Sequence, residues 1–173
     1  MCSENNKNTC IKLADILYYT FLILMLTLKG LGLHDGYIAY RILFWVSMLC
    51  AAGKVFLTGY SKKEWFWIIV LGCLSLLIER NSGEKGVLIC YAIIAGMKGI
   101  PLRKVVQIGA GVYGLTLGLM VTYYGLFLEK STFIKHVRLG MGKTVRYGLG
   151  YAHPNTLMVT YFVTCAFIIL CLG

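Results

Sequence analysis

The sequence predicts an all-α integral membrane protein, a polytopic bundle of about six transmembrane helices that forms one membrane domain over residues 1–173. Hydrophobic residues make up 58% of the chain and charged residues 14%, whereas about 25% of residues are charged in a soluble domain. The mean hydropathy is +0.74. The apolar residues fall in separate runs close to the roughly 20 residues that a membrane-spanning helix needs. Lipid is therefore the expected solvent of this chain.

Six spans are predicted in chain order: 13–33, 37–55, 65–78, 87–100, 105–128 and 156–173. The first two carry cations near their ends, where long side chains reach the lipid headgroups. Trp65 and Trp67 open the third span as interfacial anchors. The third and fourth spans are short, and the fourth contains Lys98, so these two segments form either two crossings or one thin, re-entrant hairpin.

The fifth span is a long apolar run without a charged residue. It contains Gly114 and Gly118 at the GxxxG spacing, which lets two membrane helices approach closely. We expect these glycines to form a packing face within the bundle, with a dimer seam as the alternative.

The net charge of +10 does not indicate a nucleic-acid-binding protein. Membrane proteins collect cations in their loops, and this chain lacks an aromatic and basic stacking module. The seven cysteines include no CxxC pair, so we expect neither a metal site nor a disulfide framework. No cofactor is expected either.

A basic loop, residues 129–155, separates the fifth and sixth spans. It contains five of the seventeen Lys and Arg residues and two of the three His. Its GMGKT segment lacks the glycine that a P-loop requires at position 137, which is Val137, and no strand is expected before it, so nucleotide binding is not predicted. The glycines instead allow a tight turn or the close approach of a ligand, or they make the loop flexible.

Charge counting predicts the orientation. With six crossings, and with the basic loop left aside, eight Lys and Arg residues fall on the amino-terminal side and four on the other. This distribution places the amino terminus in the cytoplasm. The basic loop then lies outside the cell against the usual rule, and we expect its cations to bind an anion there. If the third and fourth spans do not both cross, the loop is cytoplasmic and its charges need no such role.

The end of the basic loop has the residues expected of a diphosphate site. Pro154 suits the first turn of the sixth helix, whose free N–H groups and dipole favour an anion. The candidate diphosphate-binding residues are Arg138, Lys143, Arg146 and Asn155. His153, just before the helix, either joins this cluster or serves only as a capping residue.

Three residues are candidate general bases: Asp35, Glu84 and His136. Asp35 and Glu84 lie in the other two loops on the same side of the membrane as the basic loop. The unperturbed pKa of a histidine lies near neutral pH, which makes His136 a candidate, but a position facing the lipid headgroups is the favoured interpretation for it. Nothing in the sequence brings the three together.

Residues 145–156, VRYGLGYAHPNT, resemble the R-x-x-L-G-(F/Y)-x-H-P-N signature of bacterial oligosaccharide repeat-unit polymerases, the relatives of the O-antigen polymerases and ligases. Residues 81–106, NSGEKGVLICYAIIAGMKGIPLRKVV, resemble the middle section of the same family. The resemblance implies a membrane glycosyltransferase of capsule, exopolysaccharide or O-antigen synthesis. Such an enzyme polymerises or ligates oligosaccharide units that are linked to undecaprenyl diphosphate.

The resemblance also implies a location and partners. Arg146, together with Arg138, would hold the diphosphate at the outer face of the bacterial cytoplasmic membrane, and Arg146 and His153 would be the catalytic residues. The partners would be the polyprenyl-diphosphate-linked oligosaccharide, the lipid bilayer and other polysaccharide-assembly membrane proteins, with no metal, nucleotide sugar or nucleic acid. Because such polymerases have around twice as many spans, this chain would match an amino-terminal half, and a missing carboxy-terminal half would be a further partner.

A second function class stays open. The chain would then be a non-enzymatic multi-pass membrane protein, either an inactive truncation or a subunit that binds a partner. A membrane peptidase is a weaker third possibility, because no Cys and His lie together in a loop as a nucleophile and its base would.

Overall fold

The computed structural model of the chain describes residues 4–33, 36–83, 85–127, 133–138, 142–147, 151 and 154–172, with the strands described by their backbone alone. Within these residues there are six α-helices and two β-strands. In chain order they are α1 (Glu4–Gly30), α2 (Ile38–Leu57), α3 (Lys62–Ser82), α4 (Gly86–Gly96), α5 (Leu102–Phe127), β1 (Phe133–Arg138), β2 (Gly142–Tyr147) and α6 (Pro154–Leu172). Each predicted span contains a helix, so the all-α membrane class is confirmed.

Among the described residues, five helices are long and apolar enough to cross a membrane, and α4 is the shorter apolar helix. The protein is therefore a multi-pass membrane protein. With 11 residues, α4 is about 16 Å long, roughly half of the 30 Å hydrocarbon core. Whether the fourth predicted span, 87–100, crosses fully or forms a re-entrant hairpin with the third stays a prediction. The helix stops because Gly99 adopts a φ of +81° and Pro101 disfavours helical backbone at the residue before it.

The third predicted span, 65–78, is too short, because α3 begins at Lys62 and ends at Ser82. Ser61 and Glu64 form a capping box in which each side chain accepts a hydrogen bond from the other residue's backbone N–H. This reciprocal cap satisfies N–H groups that have no intrahelical partner. The helix therefore starts ahead of its tryptophans and is long enough to cross on its own.

Helix α4 folds back along α3. The Tyr91 hydroxyl donates to the Ile68 carbonyl at 2.9 Å, and the Tyr60 hydroxyl donates to the Ala95 carbonyl at 2.6 Å. Tyr91 thus contacts α3 at Ile68, whereas the later Ala95 contacts Tyr60 just before α3 begins, so the two helices run antiparallel. By the end of α4 the chain has returned to the level at which α3 begins.

The chain divides into two compact units, and the first contains Met1–Leu22 and Trp45–Pro101. The buried Tyr18 joins α1 to α4 there, since its hydroxyl donates to the Ile93 carbonyl at 3.0 Å. Its ring lies so close to Gly96 that a Cβ at that position would be 2.7 Å from a ring carbon. An ion pair of 2.9 Å between Asp15 and Lys54 joins α1 to α2.

The second unit contains Ile23–Phe44 and Leu102–Gly173. Helices α5 and α6 pack in it, with the Tyr113 and Phe167 rings stacked at a centroid distance of 6.0 Å. Phe167 also fills the space beside Gly109, where an added Cβ would lie 2.8 Å from the ring. That the whole chain forms a single membrane domain stays a prediction.

The basic loop contains a feature that the sequence did not predict, an antiparallel β-hairpin of β1 and β2. The expectation that no strand precedes GMGKT is wrong, because β1 ends just before it. Gly142, Lys143 and Thr144 lie in β2, whereas a P-loop needs its GK[ST] at the start of a helix. Nucleotide binding therefore remains without support, although for a different reason.

Candidate diphosphate site

The register of the hairpin distributes the cations of the basic loop over two faces. Arg146 is paired with Ile134, His136 with Thr144, and Arg138 lies at the turn end of β1. Directly paired residues share a face, and faces alternate along each strand. Arg138, His136 and Arg146 therefore lie on one face of the hairpin, which we call the arginine face.

The opposite face carries the two lysines of the hairpin. Lys143 is paired with Val137, and Lys135 with Val145. The register thus separates Lys143 from the arginine face, and its assignment to a diphosphate stays a prediction. Lys135, which was not a candidate site residue, lies on the face of the hairpin opposite the arginine face. It therefore serves as a control for the loss of one positive charge.

Tyr151 ties the residues that follow the hairpin to the end of α1. It is only 1% exposed, and its hydroxyl donates a hydrogen bond of 2.5 Å to the Gly30 carbonyl. Its ring lies against Gly32, whose φ is +65° and whose added Cβ would be 2.8 Å from a ring carbon. Burial raises the pKa of the Tyr151 hydroxyl, an effect partly offset by a hydrogen bond with Thr160. The hydroxyl therefore stays protonated and able to donate at neutral pH.

The end of α1 brings further positive charge to this part of the second unit. Lys29, next to Gly30, is exposed, and its Nζ lies 5.9 Å from the centroid of the Tyr40 ring. Tyr40 is buried near the start of α2, and the exposed Arg41 follows it. One cation, Lys29, therefore lies at the end of α1 to which Tyr151 is bonded.

The start of α6 supplies backbone donors. The helix begins at Pro154, which confirms the predicted position of proline in the first turn, and Asn155 beside it is exposed. The first N–H groups of a helix have no intrahelical partner and favour an anion. Three predicted site residues, Asp35, Glu84 and His153, lie outside the described residues.

Tyr151 and Lys29 are the members of this site that sequence reasoning missed. Tyr151 occupies the aromatic position of the signature-like segment, which gave it no role of its own. Lys29 is one of the cations near the ends of the first two predicted spans, which are counted only for orientation. A contact between residues 121 positions apart leaves no local signal in the sequence.

The packing role of Gly114 and Gly118 stays a prediction. Apart from their chain neighbours and the backbone of α5, no described heavy atom lies within 4 Å of a Cβ added at either glycine. They line a groove of about 570 Å³ between α5 and α6, together with Met158 and Tyr161. The close approach of α5 to α6 occurs at Gly109 instead. A seam with another molecule stays a prediction.

Comparison with known proteins gives no match: no protein-family model, no curated protein and no solved structure matches this chain.

Proposed function

We propose that this protein is a membrane glycosyltransferase of the repeat-unit polymerase kind. Its substrates are oligosaccharides linked to a polyprenyl diphosphate in bacterial capsule, exopolysaccharide or O-antigen synthesis. The observation that carries the proposal is the bond between Tyr151 and Gly30. Tyr151 ends the R-x-x-L-G-Y part of the signature that starts at Arg146. The bond therefore anchors this segment between β2 and the first turn of α6.

The charges of this region support an anionic ligand. The arginine face contributes Arg138 and Arg146, which are about 13 Å apart along the hairpin, four residues at 3.3 Å each. Lys29 lies at the end of α1 to which Tyr151 is bonded. Guanidinium groups bind phosphate oxygens through paired, charge-assisted hydrogen bonds. A diphosphate with its apolar prenyl chain in the bilayer fits a cationic site beside membrane helices.

The α3–α4 pair supports an external position for the basic loop. Helix α4 returns to the level at which α3 begins. The chain therefore leaves the α3–α4 pair on the side of the membrane where it entered. Helices α1, α2 and α5 are each long enough to cross, which supports a basic loop on the side opposite the amino terminus. Lys62, Lys63 and Lys98 lie at the level where α3 begins and favour the cytoplasm for that side. The site then faces outward from the bacterial cytoplasmic membrane.

The proposed reaction moves a glycan from one carrier to the next unit. The bond between the anomeric carbon and the carrier's phosphate oxygen breaks, and a bond from that carbon to a hydroxyl oxygen of the acceptor unit forms. The diphosphate leaves with the electron pair of the broken bond, and the hydroxyl proton passes to a base. Arg146 and Arg138 stabilise the negative charge on the leaving diphosphate. Asn155 and the N–H groups at the start of α6 add neutral donors.

The proton acceptor is one of the three candidate bases, Asp35, Glu84 and His136. His136 has one structural argument in its favour, because it lies on the arginine face between Arg138 and Arg146. His153 stands beside Pro154 in the chain and is the second imidazole of the proposed site. Replacing His136 and His153 separately by glutamine, and measuring glycan chain length, shows which of the two imidazoles the reaction needs.

The experiment that tests the proposal changes Arg146 in a bacterial strain whose polymer synthesis depends on this protein. Arg146→Ala is expected to abolish long glycan chains while the protein stays in the membrane. Arg146→Lys should restore them only in part, because lysine cannot form the bidentate contact. Lys135→Ala, the same loss of charge on the opposite face of the hairpin, should leave chain length unchanged. Normal chains in Arg146→Ala would overturn the proposal.

The second candidate function is a non-enzymatic subunit that binds another membrane protein. The open groove around Gly114 and Gly118 favours it, since small residues at this spacing let a partner helix approach. On this alternative, Gly118→Leu would abolish the association with the partner and Arg146→Ala would have no effect on polymer length. The opposite pattern is expected if the protein is the polymerase.

A further inference from the structure

A groove in the first unit, which we call the α3–α4 groove, has no part in the proposed polymerase chemistry. It has a volume of about 490 Å³ and is lined by Tyr60, Trp67, Leu71, Tyr91, Ile94 and Lys98, among others. Small-molecule sites in proteins commonly have volumes of about 300–1,000 Å³. The groove is therefore large enough to hold part of an amphiphile.

The α3–α4 groove is polar at one end and apolar at the other. Glu64 and Lys98 form its polar end, where α3 begins and α4 ends. Trp67, Leu71 and Ile94 are exposed by 59%, 46% and 73%, although all three are large and apolar. Such side chains on membrane helices face acyl chains. The groove thus changes from charged to lipid-like along its length.

The polar end has more cations than carboxylates. The Lys98 Nζ lies 2.8 Å from both Glu64 carboxylate oxygens and 4.7 Å from the centroid of the Tyr60 ring. Lys62 and Lys63, just before Glu64 in the same helix turn, are exposed. Three lysines and one glutamate therefore lie at this end of the α3–α4 pair, and 40% of the Lys98 side chain remains exposed.

We propose that the α3–α4 groove binds an anionic glycerophospholipid of the bilayer, with its phosphate at Lys98 and one acyl chain along Trp67 and Leu71. Charge complementarity selects this occupant, because a net negative headgroup matches the excess of lysines and a zwitterionic headgroup does not. The phosphate takes over from Glu64 as the partner of the Lys98 ammonium. The site does not depend on the proposed polymerase activity.

The binding test uses the purified full chain in detergent with Trp67 as the reporter. Trp45→Phe and Trp65→Phe remove the other two tryptophans, and brominated phosphatidylglycerol or brominated phosphatidylcholine is titrated as a quencher. We expect phosphatidylglycerol to quench Trp67 at a concentration several times lower than phosphatidylcholine. Equal quenching by the two lipids would overturn the proposal. Displacement of the lipid by inorganic phosphate alone would also overturn it, since the acyl chain would then add nothing.

Two variants at the ion pair give opposite results if the proposal is right. Lys98→Gln should weaken phosphatidylglycerol binding about fivefold, the usual effect of one lysine at an anionic lipid surface. Glu64→Gln keeps the capping acceptor for Ser61 but removes the competing carboxylate, so it should strengthen binding. Arg80→Gln, a loss of the same charge at the other end of α3, is the matched control and should change nothing. Weaker or unchanged binding in Glu64→Gln would contradict the proposal.

Discussion

The Tyr151 hydroxyl donates a hydrogen bond to the Gly30 carbonyl, which belongs to the last turn of α1. The final carbonyl groups of a helix have no intrahelical donor, so Tyr151 satisfies one of them. The same bond joins the residues before α6 to the opposite end of the sequence. Tyr151 is therefore a positioning residue, because it acts on the proposed site through the backbone that it fixes.

Tyr151→Phe is expected to destabilise the protein by about 1–2 kcal/mol. The ring still fits, but the Gly30 carbonyl is left buried without its donor. Thermal unfolding of the purified protein in detergent measures the loss. Tyr124→Phe is the control, since it removes a hydroxyl from the same unit at a half-buried position, and it should cost less than about 0.5 kcal/mol. An equal cost for the two variants would show that the Tyr151 hydroxyl has no structural role.

Gly32→Ala tests the packing of the Tyr151 ring. The substitution adds a Cβ at a φ of +65° and places it 2.8 Å from the ring, so two costs combine. Gly83→Ala is the matched control, because its φ is +71° and nothing among the described residues lies within 4 Å of the added atom. The positive φ alone costs about 1–2 kcal/mol. Gly32→Ala should cost at least about 1 kcal/mol more than the control, and equal costs would refute the ring contact.

Asp15 and Lys54 should stabilise the first unit only when both charges are present. Lys54 is 3% exposed and Asp15 32%, so Lys54→Met leaves a partly buried carboxylate without a partner. We expect a loss of about 3 kcal/mol for this single change. The double variant Asp15→Leu with Lys54→Met should recover most of it, because neither charge is then left alone. Unfolding midpoints in detergent check both variants, and a double variant no more stable than the single one would contradict the account.

The exposed pair of Glu64 and Lys98 is the comparison for that prediction. Its side chains are 44% and 40% exposed, and solvent screens an exposed pair so that it contributes little to stability. Lys98→Met should therefore lower the unfolding midpoint much less than Lys54→Met. Similar losses for the two would mean that burial does not control the strength of these pairs.

The helices could be predicted from the sequence wherever composition alone is enough to indicate a membrane helix. The run from 105 to 128 has no competing signal, and α5 occupies nearly the same residues. Pro154 marks the start of α6 because its missing N–H costs nothing there. Ser61 and Glu64 have the spacing of a capping box and so also indicate the start of α3, whereas the predicted span begins at the tryptophans.

The rest could not be predicted because it depends on distant residues or on short patterns. The two strands are only six residues each, and the glycines of the basic loop predict a tight turn, the close approach of a ligand or a flexible loop without indicating the strand pairing. The short length of α4 follows from the turn at Gly99 and from the fit of Tyr18 against Gly96. No local sequence pattern around Tyr18 or Tyr151 indicates which residue its side chain contacts. The arginine face exists only once the register of the hairpin is known.

The most direct test of the proposed function measures binding of a polyprenyl diphosphate to the purified protein. Undecaprenyl diphosphate and the neutral undecaprenol are compared on the unmodified chain, on Arg146→Ala and on Lys135→Ala. The account predicts that the diphosphate binds at least tenfold more tightly than the alcohol, and that only Arg146→Ala loses this preference, since a charged hydrogen bond contributes about 1.5–3 kcal/mol. Equal affinity for the two carriers, or an equal loss in Lys135→Ala, would contradict it.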